Sequence, residues 1–219
     1  MWLRLQLDIR GHTCALEVII LLLAIEPSKP SSHVQPMFGA YSMGGGFAGT
    51  PKENQDGFLI YEALSDGSLP FITAVLDGHG VNGRMVSALA EKELGPLFLE
   101  RCNQGQAVEE ALEGAILATA TVVEQSTVDC REAGSTVVAC VQDGDDLVVA
   151  NVGDSRCVLG RCQAGQWSAV PLSRDHKPDD PTEKKRIQRM GGFVEPTRVR
   201  GWGYQGPPRV WKRKQQVRA

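Results

Sequence analysis

Apolar positions along the chain fall into two periodicities. Gly57 to Tyr61 and Phe71 to Leu76 are short apolar runs, the second continuous except for Thr73 and closed by Asp77-Gly78. Thr136 to Val141 and Leu147 to Val152 are valine-rich and separated by Asp143-Gly144-Asp145-Asp146, so they predict two strands of a hairpin. Arg156 to Gly160 extends this meander as a further strand after a turn at Gly153 to Ser155. A helical period takes over from Arg84 to Leu94, where Val86, Leu89, Ala90 and Leu94 share a face, and Gly95-Pro96 is expected to interrupt it. A second helix is predicted over Ala107 to Gln125, with Val108, Ala111, Leu112, Ala115, Thr119 and Val122 opposite Glu109, Glu110 and Glu113. Pro181 to Met190 predicts a third, stopped by Gly191-Gly192. Helices inserted among antiparallel strands indicate an α+β class rather than a parallel doubly wound sheet.

Composition narrows the classes. Hydrophobic residues make up 42% and charged residues 22% of the 219, which excludes collagen-like, disordered and polytopic membrane proteins. A formal net charge of −3 gives no nucleic-acid signature. Residues 196–219 carry seven Lys or Arg among Trp202, Tyr204 and Trp211, but without a recognisable binding motif, so no nucleic-acid partner is expected.

The six cysteines form no Cys-x-x-Cys pair, the closest two being Cys157 and Cys162. Reduced thiols in a cytoplasmic protein, with a nuclear location as the alternative, are the expectation. Cys14 to Ile25 is almost wholly apolar, with Arg4 and Arg10 before it, yet at twelve residues it is shorter than the ~20 that span a bilayer. The run resembles a signal-peptide core, but no small-x-small cleavage site follows, so membrane attachment is not expected and a signal peptide or anchor is the alternative. Residues 26–36 have a linker's composition, so residues 1–37 are assigned as leader and linker and the domain as 38–219.

The candidate chemistry lies in the acidic residues. Asp56 follows Asn54-Gln55 just before a predicted strand, Asp77 ends a strand in Asp77-Gly78-His79-Gly80, and Asp154 ends another in Gly153-Asp154-Ser155-Arg156. Carboxylates at strand ends can converge on one sheet edge and offer hard oxygen ligands to Mg²⁺ or Mn²⁺. Gly78 would let a backbone carbonyl approach such an ion. Each motif taken alone reads first as a turn former, and His79 alone is equally a partly buried structural histidine. Asp143 to Asp146 lacks the spacing and terminal Glu of a calcium loop, and Gly44-Gly45-Gly46 is not followed by the rest of a nucleotide P-loop.

Order adds what single motifs lack. Asn54-Gln55-Asp56, Asp77 to Gly80, Gly153 to Arg156, then Asp175-His176-Lys177-Pro178 with Glu183, Arg186-Ile187 and Gly191 to Val194 resembles the metal-dependent protein phosphatases of type 2C (PPM), over about residues 38–219. Gly206 to Trp211 resembles a variant of that family seen in protists and algae. The resemblance implies a PPM-type phosphatase fold, a β-sandwich of two antiparallel sheets flanked by helices in four layers, α-β-β-α. It implies hydrolysis of phosphoserine and phosphothreonine in proteins at a two-metal centre of Mg²⁺ or Mn²⁺, with a third, weaker ion in some members.

Carried over residue by residue, Asp77 matches the aspartate bridging both metals, Gly78 the carbonyl ligand, Asp56 the acidic position beside them and Asp154 the holder of the third ion. Gln55 stands where many members have Glu, so it can orient water without adding charge. Asp175 to Pro178 and Arg186 match structural positions. The implied mechanism is in-line attack by a metal-activated water, without a phospho-enzyme. His79 is the candidate to protonate the leaving alkoxide, and Lys52 the candidate phosphate contact, a point charge where members often carry arginine. Partners are phosphorylated Ser/Thr proteins, and the chain is expected to be a monomer.

The resemblance also implies two later aspartates, one in an Asp-Gly pair and one in an Asp-Asn pair, which the sequence does not reach by Ala219. The expectation is the front part of a larger domain, incomplete at its C-terminus, with exposed sheet edges and poor stability on its own. The alternative is an inactive pseudophosphatase that binds phosphoproteins. The binuclear metallophosphoesterases need several histidine ligands, and His12, His33, His79 and His176 do not supply their motifs.

Overall fold

A computed structural model describes residues 18–24, 37–47, 50–61, 71–143, 146–199 and 203–212. The chain divides into two compact units, residues 1–150 and 151–219. The predicted linker at 26–36 lies outside the described residues.

The first unit is built on a four-stranded antiparallel sheet. β1 (Val18–Ala24) pairs with β2 (Met37–Met43), and β3 (Gly46–Phe47) with β4 (Thr50–Pro51), as separate ribbons. The main sheet joins β5 (Gly57–Tyr61), β6 (Phe71–Leu76), β9 (Val137–Asp143) and β10 (Asp146–Val152) in the order β10-β9-β6-β5. On the edge strand β5 the side chains alternate, Leu59 inward and Phe58 and Ile60 outward, as a strand with one covered face requires. The central strand β6 buries Ile72, Thr73, Ala74 and Leu76 on both faces.

β7 (Gly78–Gly80) and β8 (Ala133–Ser135) continue the same pairing register as β6 and β9, with Asp77 and Thr136 between the two ladders. Asp77 N–H donates to Thr136 Oγ1 at 3.0 Å, and Thr136 N–H donates to the Asp77 carbonyl at 2.9 Å. The Asp-Gly-His-Gly segment is therefore an extension of the central strand.

Two helices cover one face of the sheet. α2 (Val108–Gln125) turns Ala111, Leu112, Ala115 and Thr119 inward, while Glu109, Glu110 and Glu113 stay exposed. α1 (Gly83–Asn103) departs from expectation, because it runs straight through Gly95-Pro96 instead of ending there. Proline removes one helical hydrogen bond and crowds the preceding turn, at a cost of ~3 kcal/mol. The register of α1 offsets this: Leu94 and Phe98, on either side of Pro96, are buried at 0% and 2% exposure. Each such side chain contributes about 1.5–3 kcal/mol. Pro96 itself faces solvent, and Gly95 fits against the Tyr61 ring, which an added methyl would meet at 2.7 Å. The core combines Leu59, Ile72, Ala74, Ala139 and Val141 of the sheet with Leu94, Phe98, Ala111, Leu112 and Ala115 of the helices.

The second unit contains two hairpins and a helix. β11 (Val158–Gln163) pairs with β12 (Gln166–Pro171), so the strand expected from Arg156 begins two residues later and forms its own hairpin. The reason is local: Cys157 N–H donates to Ser173 Oγ and its carbonyl accepts from Leu172 N–H, which ties residues 156–157 to the segment after the hairpin. α3 (Pro181–Arg189) starts at Asp180, whose carboxylate accepts from the N–H groups of Thr182 and Glu183 at 2.9 and 3.1 Å, with Pro181 at the first turn. Gly191, at φ +83°, ends it as predicted. β13 (Gly192–Val199) and β14 (Gly203–Lys212) form a hairpin with a register shift at Pro196/Thr197. Among the described residues, no helix is long and apolar enough to cross a membrane.

Candidate metal and phosphate site

The register of β5 on β6 ends with Gly57 opposite Leu76. Asp56 and Asp77 are the residues that flank this last pair, one on each strand. Two of the three carboxylates predicted as metal ligands thus share one end of the sheet. Asp56 is buried, at 8% exposure. Its N–H donates to Asn54 Oδ1 at 3.0 Å, and its carbonyl accepts from Arg84 Nη1 at 2.9 Å. Arg84 also lies 4.0 Å from Glu91 on the same helix. Asp77 is held from the other side by its two backbone bonds to Thr136.

Gly78 is enclosed. A methyl group there would run into the carbonyl oxygen of Gln55 and into that of Gly83, the latter at 2.5 Å, so this position accepts only glycine. Carboxylates and a backbone carbonyl offer oxygens alone, the donor type that suits a hard divalent cation. Among the described residues no group of three or more His, Cys, Asp or Glu side chains gathers as a metal cluster.

His79 is exposed and stands directly across the β7/β8 ribbon from Gly134. Lys52 is exposed at the end of the β3/β4 ribbon, its N–H donating to the Gly45 carbonyl at 2.9 Å. Asp154 belongs to the second unit, where it is exposed in the turn after β10.

Around that turn two of the sequence motifs clasp one another. His176 N–H donates to the Gly153 carbonyl at 2.9 Å, and Asn151 Nδ2 donates to the carbonyls of Gly153 and Arg174. The Arg156 guanidinium grips Asp175 with both arms, at 2.8 and 2.7 Å. That two-pronged hydrogen bonding, aided by the Arg156 and Lys177 charges, holds the Asp175 carboxyl below the usual carboxylate range. Arg186 pairs with Glu183 within α3, and Arg174 with Asp180.

Four contributors at the first site were not singled out by sequence reasoning. Thr136 receives the Asp77 N–H, and Ser87 Oγ donates to the Gln55 carbonyl at 2.6 Å. Arg84 holds the Asp56 backbone, and Gly134 lies under the His79 ring. Their partners are 28 to 59 positions away for the three hydrogen bonds, and no short motif encodes such pairs.

The protein phosphatase 2C family model matches residues 42–202. The chain belongs to the protein phosphatase 2C family. It is 37% identical over 171 residues to the probable protein phosphatase 2C 72 of Arabidopsis thaliana, covering 70% of this chain and 51% of that protein. It is 37% identical over 148 residues to protein phosphatase 1L of Bos taurus, covering 64% and 40% respectively. The chain thus spans about half the length of the curated relatives it matches. Its fold is similar to the crystal structure of the serine-threonine phosphatase 2C from Toxoplasma gondii, with a TM-score of 0.61, 20% identity and coverage of 90% and 65%. The α+β, PPM-type fold expected from the motifs is the fold found. Protein phosphatase 2C enzymes are metal-dependent as a family.

Proposed function

We infer that the protein to which this chain belongs hydrolyses phosphoserine and phosphothreonine in other proteins, using Mg²⁺ or Mn²⁺. The observation that carries this reading is that Asp56 and Asp77 flank the last pair of β5 and β6 at one sheet end, beside the enclosed Gly78, in a protein phosphatase 2C domain. Asp56, Asp77 and the Gly78 carbonyl would hold the divalent cations, and Asp154 a third, weaker ion. When bound, such cations lower the pKa of water towards neutrality and offset the phosphate charge.

The chain's own groups supply the rest. Lys52 would meet the phosphate as a point charge. Water attacks phosphorus in line, the bond between phosphorus and the serine or threonine oxygen breaks, and His79 gives its proton to the departing oxygen. General acid help of this kind contributes ~10²–10⁴ in rate. The exposure of His79 and Lys52 supports these roles, because both can reach a phosphate presented by a protein surface. A monomer acting in the cytoplasm is part of the same proposal.

The test is hydrolysis of phosphopeptides by the whole protein with and without Mn²⁺, together with Asp77→Asn. Activity that needs Mn²⁺ and disappears in Asp77→Asn is expected. Turnover that persists in excess chelator would overturn the reading, and tight phosphopeptide binding without turnover under any metal would replace it with a pseudophosphatase.

A further inference from the structure

We propose that Gly134 is a positioning residue for His79: the missing side chain at 134 leaves the space in which the His79 imidazole lies over the β7/β8 ribbon. The inference rests on His79 being the proton donor of the proposed reaction. His79 and Gly134 are direct cross-strand partners. A methyl group built on Gly134 would lie 2.8 Å from His79 Nε2 and 2.9 Å from Cε1, and its third-nearest neighbour, at 3.8 Å, is also a ring atom of His79. Ordinary carbon contacts are ~3.5–4.0 Å, so ring and methyl cannot both occupy these positions.

Backbone conformation does not explain glycine here. Gly134 is not among the glycines with positive φ, so alanine could take its dihedral angles. Packing against the core is not the nearest constraint either, since the three atoms closest to that methyl position all belong to the ring. The contact is with the far end of an exposed, rotatable side chain, so alanine would be accommodated by swinging the imidazole aside rather than by breaking the strand pair. Gly134→Ala should therefore displace the donor and leave the fold in place.

A leaving-group comparison separates this role from a structural one. A phosphopeptide releases an alkoxide that needs a proton, whereas p-nitrophenyl phosphate releases a stabilised phenolate that leaves without one. Gly134→Ala is expected to lower kcat on the phosphopeptide by ~10²-fold, as His79→Gln should, with p-nitrophenyl phosphate hydrolysis changed less than about threefold. Combined with His79→Gln, it should lower phosphopeptide kcat no further. Circular dichroism and the urea midpoint should remain close to the parent's. Independently of activity, the His79 ring resonances in ¹H–¹³C NMR spectra of the full chain, assigned with His79→Gln, should move in Gly134→Ala while those of His176 stay.

Unmoved His79 resonances, an equal kcat loss on both substrates, or additive losses in the double variant would overturn the proposal. A parent that hydrolyses neither substrate with Mn²⁺ would instead overturn the phosphatase reading, and the NMR comparison would still decide the placement of the ring.

Discussion

The side-chain amide of Gln55 donates to the backbone carbonyl of Gly80 at 2.9 Å. Gln55 is buried, and Ser87 Oγ donates to its carbonyl from helix α1. Gly80 sits at φ +84° with its Cα facing the Glu132 carbonyl, so the segment after His79 bends in a way open only to glycine. The residue expected from family resemblance to orient water thus spends its amide on the shape of the Asp-Gly-His-Gly segment.

Gln55→Leu keeps the bulk and removes the donor. A loss of about 0.5–1.5 kcal/mol in unfolding free energy is expected, the net worth of a typical hydrogen bond. Hydrogen exchange should quicken in residues 77–83 before it does in the sheet core. Unchanged exchange there would show that Gln55 does not hold the segment.

Thr136→Val tests the anchor of Asp77. The substitution retains the β-branched shape but leaves the Asp77 N–H without the Thr136 hydroxyl, at a cost of ~1–3 kcal/mol for a part-buried donor. Thr136→Ser should recover most of the loss. Urea midpoints of the two variants check this, and equal destabilisation by both would assign the cost to packing.

Asp175 should contribute to acid sensitivity, together with Asp180 and Glu183, whose carboxyls are also held low by hydrogen bonds. Its hydrogen bonds from Arg156 lower its folded pKa below the unfolded value of ~3.9. Its stabilising contribution is therefore complete above that value and is lost as pH falls through the lowered folded value. Thermal unfolding followed from pH 6 downward should show a shallower acid limb in Asp175→Asn than in the parent. Parallel limbs would mean that the pair does not titrate with folding.

Pro96→Ala should stabilise the first unit. Alanine restores an N–H to the helical ladder and relieves the crowding of the preceding turn, for a gain of about 1–3 kcal/mol, part of it offset by a more flexible unfolded chain. A higher urea midpoint is the expected outcome. A lower one would mean that the proline ring packs usefully against its neighbours.

Much of the fold is local enough to be legible. β5 and β6 have the predicted bounds because five or six apolar residues between turn formers have few alternatives, and α2 follows from its alanine and leucine stripe. Pro96 was misleading because local propensity weighs only a lost hydrogen bond, whereas the burial of Leu94 and Phe98 is a tertiary quantity. The β11/β12 hairpin was missed beyond Gly160 because Arg161 to Gly165 carries little apolar alternation.

By itself the sequence determined the element types, the order of the acidic motifs and the glycines beside them, since each is set by neighbours a few residues apart. That order was enough to place the chain in its family. Tertiary structure decided which of those residues meet. Antiparallel register brings Asp56 and Asp77 to the same end of β5 and β6, runs Asp77 into Thr136, and lays the His79 ring over Gly134. Register is a property of strands paired across tens of residues, where one step of slip would turn every side chain to the opposite face.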